Sequence, residues 1–146
     1  MDYVRGILTN WVLLSGLIAW GSAQVLKGFI HAFVHREFDW HRLVGDGGMP
    51  SGHSATVTAV AATCGLEYGT DTPVFAIAMI LAIITCHDAM KSRQEIGKHA
   101  MALNELFKDR DLEPTLEEFI GHKPSQVFVG ILLGLFISFL IFFCRH

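Results

Sequence analysis

Residues 47–66 read GGMPSGHSATVTAVAATCGL. The stretch carries no Lys, Arg, Asp or Glu, and its later part is built from Ala, Thr, Val and Gly, side chains small enough to let membrane helices approach closely. A helix of that composition belongs at the centre of a bundle, screened from lipid by its neighbours. Its entry has another character, with glycines, a proline, two serines and a histidine crowded ahead of the helical run. Such an entry fits either a phosphate site at a helix mouth or a plain loop cap.

Working outward, the chain of 146 residues is one domain, 1–146, because a second core would need more length. It is 51% hydrophobic and 17% charged, with a mean hydropathy of +0.42, which is too apolar for an ordinary soluble domain of this size. Breaking the sequence at charged residues leaves three further long stretches, 6–26, 72–87 and 124–144. A bilayer crossing takes about 20 apolar residues, within roughly 17 to 25. The first and last qualify outright, 47–66 is diluted by its glycine-rich entry, and 72–87 is slightly short. The stretch 6–26 has some marks of a secretory signal, with Arg5 before it and Gly21, Ser22 and Ala23 inside it, but reads better as a first membrane helix running through Lys27 to about Val34.

The predicted fold class is all-α: an integral membrane bundle of about four transmembrane helices plus an amphipathic surface helix. That amphipathic segment is 93–107, where Ile96, Ala100, Leu103 and Phe107 recur at helical spacing, and it either continues the third helix or lies on the membrane surface. A polar connector follows at 108–119, with Pro114, Thr115 and Glu118 patterned as a helix start. Cys64, Cys86 and Cys144 sit in apolar stretches at no metal or disulfide spacing and read as inert thiols. The net charge of −3 argues against a nucleic-acid partner.

Four crossings sort the loops onto two faces. His53, Arg36, Arg42, Asp88, Lys91, Arg93, His99 and His122 fall on one, and Arg5 and Arg145 on the other. The excess of Lys and Arg predicts that the first face is cytoplasmic, in a multi-pass protein of the cell membrane.

The residues on that face suggest phosphate chemistry. Pro50 suits a helix start, and Ser51 and Gly52 let a ligand reach the free N–H groups at the positive end of the helix. His53 then lies within reach of a bound phosphate's leaving oxygen and is a candidate general acid, since a bound anion favours the protonated ring. His122, just before Pro124 and the last apolar stretch, is a candidate nucleophile that would form a phosphohistidine. Lys27, Arg36 and Arg93 are candidate phosphate-binding cations, and Asp88 would orient an arginine or an imidazole.

The blocks GGMPSGHSA (47–55), HDAMKSRQEIGKHA (87–100) and IGHKPSQVFVGILLG (120–134) together resemble the divergent branch of the type-2 phosphatidic acid phosphatases, relatives of the acid phosphatases and vanadium haloperoxidases. The resemblance runs in matching order from Lys27 to Gly134. It implies metal-independent hydrolysis of a phosphomonoester, without a cofactor, with His53 as acid and a later histidine as nucleophile. The chain departs from the broader pattern in two places. Lys27 is followed by Arg36 without a proline, and the last block is split, with Arg93 in one segment and His122 in another. His99 stands at the expected interval from Arg93, but six helical residues point the two about 120° apart, which favours His122. Four positions after His122 stands Gln126, which orients a ring but does not match a carboxylate in stabilising it.

Plainer readings accompany each residue. His53 and His122 are helix-end histidines, His99 a surface residue, and Lys27 a cation that snorkels to the interface. His31 and His35 have a zinc-binding interval, but no further ligand pattern completes a metal site. Gly130 and Gly134 form a GxxxG spacing suited to helix packing, within one chain or between two. The expected partners are a phosphorylated lipid substrate and membrane lipids, with an oligomer left open. The expected function is hydrolysis of a lipid or isoprenoid phosphate, and the alternative is a non-catalytic protein that binds anionic headgroups.

Overall fold

The computed structural model describes residues 2–35, 48–108 and 124–146, and among these every regular element is helical. A short α1 (Asp2–Leu8) precedes α2 (Trp11–His35), α3 (Gly52–Tyr68), α4 (Pro73–Lys108) and α5 (Pro124–Arg145). The break before α2 falls inside the uncharged stretch 6–26 and has a local cause. The Asn10 side chain accepts the Leu13 N–H at 3.1 Å, capping a new helix, while the Thr9 hydroxyl donates to the Arg5 carbonyl at 2.9 Å and closes the old one.

The small-residue stretch is the centre of the bundle. α3 packs against α2, α4 and α5, while α2 and α4 have no backbone contact with each other among the described residues. One cluster joins Ala19 and Ala23 of α2 to Ala55 and Ala59 of α3 and Ile137 of α5; another joins Ala61 and Cys64 to Ala78 and Ala82 of α4. Large apolar side chains face outward instead: Phe33 is 89% exposed, Ile77 71% and Phe143 73%. A surface that greasy around an alanine interior is the pattern of a bundle whose solvent is lipid. By length and composition, Trp11–Phe33, Pro73–Lys91 and Pro124–Arg145 can each cross a membrane. α3, with 17 residues and a rise of about 25 Å, is the shortest of the four and the one its neighbours surround.

α5 lies parallel to α3, and the GxxxG spacing is what brings them together within one chain. A Cβ on Gly130 would sit 2.6 Å from the Ser51 carbonyl oxygen, and one on Gly134 2.5 Å from that of Ala55, so only glycine lets the backbones meet there. Farther along, the Ser138 hydroxyl donates to the Ala59 carbonyl at 2.9 Å and accepts from Thr63 at 3.1 Å, and Ser15 of α2 reaches the same carbonyl at 3.4 Å. At the far end Arg145 pairs with Glu67 and lies over the Trp11 ring, 4.5 Å from its centroid.

α2 and α4 run antiparallel to this pair. Gly69 closes α3, its N–H bonded to the Gly65 carbonyl at 3.1 Å, and the Thr72 hydroxyl accepts the Phe75 N–H at 3.3 Å to open α4. The segment 93–107 continues α4 as a single 36-residue helix of roughly 54 Å rather than forming a separate surface helix. Loss of hydrophobicity does not end a helix, and no proline or capping sequence interrupts this one. Its polar half carries a solvent-facing Glu95–Lys98 pair at 2.6 Å, which holds the Glu95 carboxyl below its ordinary range. Of the connector 108–119, Lys108 is the last residue of α4, and 109–119, with the patterned helix start, lies outside the described residues.

Candidate functional site

The antiparallel order gathers the end of α2, the start of α3, a stretch of α4 and the start of α5 at one end of the bundle. The geometry there starts from Ser51. Its hydroxyl accepts the Ser54 N–H at 3.4 Å and the Ser54 hydroxyl at 3.0 Å, while its carbonyl accepts the Ala55 N–H at 3.1 Å. Ser51 is fully buried, and its own N–H donates to the Gln126 carbonyl at 3.0 Å. Its polar groups are therefore engaged in capping α3 and holding α5. The next two N–H groups, of Gly52 and His53, have no hydrogen bond among the described residues and stand at the positive end of the helix.

A cleft of about 260 Å³ opens over this mouth, between α2 and α4. Trp20, Gln24 and Lys27 line it from one face of α2, Gly52, His53, Thr56 and Val57 form its floor, and Thr85 forms the α4 wall. The volume lies near the lower end of the roughly 300–1,000 Å³ typical of small-molecule pockets, which suits a headgroup better than a whole lipid.

Lys27 is 6% exposed, so it does not snorkel. Its stem passes Gly48, whose Cβ would be 3.9 Å from both Cγ and Cδ, and its Nζ lies 3.9 Å from where a Cβ on Gly52 would stand. Gly48 has φ +96°, a left-handed conformation that suits glycine, and the turn it makes brings the backbone over the lysine stem. A buried ammonium thus stands beside the positive end of a helix. An anion is the ligand that such a space stabilises.

The other predicted site residues are distributed unevenly. His53 is exposed and borders the cleft. Asp88 stands one turn beyond Thr85 on α4, exposed and with no ion pair or hydrogen bond among the described residues. Arg93 is on the same helix, its side chain outside the described residues. His99 is exposed, and helical rise alone carries it roughly 21 Å past Thr85, away from the cleft. Gln126 lies in the first turn of α5, where its backbone meets Ser51. His122 and Arg36 fall outside the described residues, and so does Lys123. His31 is half-buried on α2, and among the described residues no group of His, Cys, Asp and Glu is arranged to hold a metal ion.

Sequence reasoning missed Gln24. It lies four residues after Trp20 and three before Lys27, on the face of α2 that meets the mouth of α3, and is 8% exposed. A polar residue one turn before a candidate cation on an apolar helix was the available signal.

Comparison with known proteins agrees with this architecture. A family model described as "Divergent PAP2 family" matches residues 8–137. The chain is 37% identical over 151 aligned positions to a Bacillus subtilis (strain 168) protein named "Uncharacterized membrane protein YuiD", an alignment covering 92% of this chain and 96% of that one. No solved structure matches.

Proposed function

The chain belongs to the divergent PAP2 family, and from that premise we propose that it is an integral membrane phosphatase that hydrolyses a lipid or isoprenoid phosphomonoester, without a metal, through a phosphohistidine. The observation that supports the reading best is the cleft itself, which buried Lys27, Gly52 and His53 border together at the N-terminal end of α3.

In this reading the phosphate seats with its equatorial oxygens on Lys27 and the two N–H groups, which meet the charge that grows there during transfer. Arg36 and Arg93 are assigned to its remaining oxygens. A ring nitrogen of His122 attacks phosphorus, and the N–P bond forms as the P–O bond to the lipid alcohol breaks. His53, protonated, gives its proton to that departing oxygen. Water then attacks the phosphohistidine while neutral His53 takes a proton from it. The N–P bond breaks, inorganic phosphate leaves, and both rings are restored. Gln126 and Asp88 are assigned to orient the imidazoles, with His99 the alternative nucleophile. A lipid-linked substrate is favoured because the cleft lies at the end of helices that span the membrane, and the Lys and Arg distribution favours a cytoplasmic opening.

The test is release of inorganic phosphate from phosphatidate, phosphatidylglycerol phosphate or a polyprenyl phosphate by the purified protein in detergent with a metal chelator present. Release that survives chelation and is lost in His53→Ala and His122→Ala supports the proposal; release that chelation abolishes refutes metal independence. A second reading, a non-catalytic protein that binds anionic headgroups, draws on Gln126, an amide where the broader pattern has a carboxylate. Headgroup binding without phosphate release from any of these lipids would favour it.

A further inference from the structure

Gln24 borders the cleft but has no part in the reaction above. It is 8% exposed, it lines the cleft between Trp20 and Lys27, and its Oε1 is buried without a hydrogen-bond partner. Buried carbonyl oxygens are seldom left without a donor, because the loss of water's hydrogen bonds goes uncompensated. A ligand that brings a donor to this oxygen is stabilised by it.

The neighbouring groups offer the opposite chemistry. Lys27 and the N–H groups of Gly52 and His53 are donors, and the Thr56 hydroxyl is already committed to the Gly52 carbonyl at 2.8 Å. The Gln24 Oε1 is thus an acceptor set among donors. An unprotonated phosphate oxygen is repelled by a carbonyl oxygen, whereas a P–O–H group donates to it. Phosphomonoesters exchange between monoanion and dianion around neutral pH, with a second pKa of about 6, so a protonated oxygen is available to them. Phosphodiester headgroups, which surround the cleft in a bilayer, have no such proton.

We infer that Gln24 is a specificity residue, whose Oε1 accepts a hydrogen bond from the protonated oxygen of a phosphomonoester and so admits monoesters while excluding the phosphodiester headgroups around it. The inference rests on the phosphate reading of the cleft. It concerns the phosphate group itself, whether carried on a lipid or free in solution.

Equilibrium binding of short-chain phosphatidate, short-chain phosphatidylglycerol and inorganic phosphate to the full-length protein in detergent tests it, on a His53→Ala background to prevent turnover. Gln24→Met keeps the length of the side chain and removes the acceptor together with the amide N–H donors, whose loss alone would weaken both esters. It should weaken phosphatidate and inorganic phosphate about tenfold and leave phosphatidylglycerol unchanged or tighter. Gln24→Glu retains an acceptor and adds a negative charge, so it should weaken phosphatidylglycerol more than phosphatidate. Equal weakening of the two esters by Gln24→Met, or no change in either, overturns the inference, and loss of phosphatidate with inorganic phosphate unaffected also does, because the lipid and not its phosphate would then be read. Helical content and elution volume of each variant verify the fold. Hydrolysis by protein with His53 intact is scored separately: a wild type that discriminates between the esters but releases no phosphate refutes the phosphatase alone, and active Gln24→Met with unaltered discrimination refutes the specificity role alone.

Discussion

The backbone N–H of Ser51 donates to the backbone carbonyl of Gln126 at 3.0 Å, joining the N-cap of α3 to the first turn of α5. Two segments 75 positions apart in sequence thereby start side by side, and both begin at the end of the bundle that holds the cleft. His122 precedes Pro124 by two residues, so the covalent chain leads from this junction directly to the proposed nucleophile.

His53→Ala should lower kcat for a lipid phosphomonoester by about 10²–10⁴-fold, the usual range for loss of a general acid. Because His53 is exposed, thermal stability should change little. With the leaving group unprotonated, a substrate whose alcohol is a good leaving group, such as a nitrophenyl phosphate, should recover much of the rate. An equal loss on both substrates would contradict the role.

Lys27→Met should lower kcat by about 10²–10³-fold, as when one preorganised donor to a developing anion is removed. Lys27→Arg should rescue poorly, since the stem is enclosed by Gly48 and Gly52 and a guanidinium is broader than an ammonium. Steady-state kinetics of the two variants check this, with rescue to wild-type rates by arginine as the contrary result.

Gly134→Leu should destabilise the bundle by about 1–3 kcal/mol or more, because its Cβ meets backbone rather than a side chain that can turn aside. Gly130→Ala forces α5 away from the Ser51 carbonyl and should reduce activity more than its stability loss accounts for. Thermal unfolding in detergent, set beside phosphate release, separates the two effects.

Arg145→Ala removes the Glu67 pair and the Trp11 stacking at the far end of the bundle. The expected cost is about 0.5–2 kcal/mol in unfolding, with kcat and KM unchanged. A change in KM would show that the two ends are coupled.

Much of the fold could be read from composition. The Ala, Thr and Gly of 55–65 predicted a helix hidden among others, and Pro124 predicted where α5 starts, because both signals are local and concern backbone approach or dihedral preference. The break at Thr9–Asn10 was obscured by the apolar residues on either side, since hydropathy averages over a cap. The charges that end the stretch 72–87 do not end the helix, and of the two readings of 93–107 the continuous one is what α4 adopts. The site was legible in part: PSGH marks a helix mouth, and Lys27 was placed among its candidates. The spacing of Gln24 and Lys27 is visible in the sequence, but their burial depends on how α2 is rotated about its axis against α3, which is a tertiary quantity. His122 and Arg36 rest on the sequence alone.

The alanine interior carries a further implication for how the molecule tolerates change. Ala19, Ala23, Ala55 and Ala59 have no rotamers with which to absorb an added methyl group, so a larger residue at any of them must displace a whole helix. Variation accumulating in this interior would then register as drift in the spacing of the groups around the cleft, and the most conservative-looking replacements, alanine to valine, would be among the least neutral.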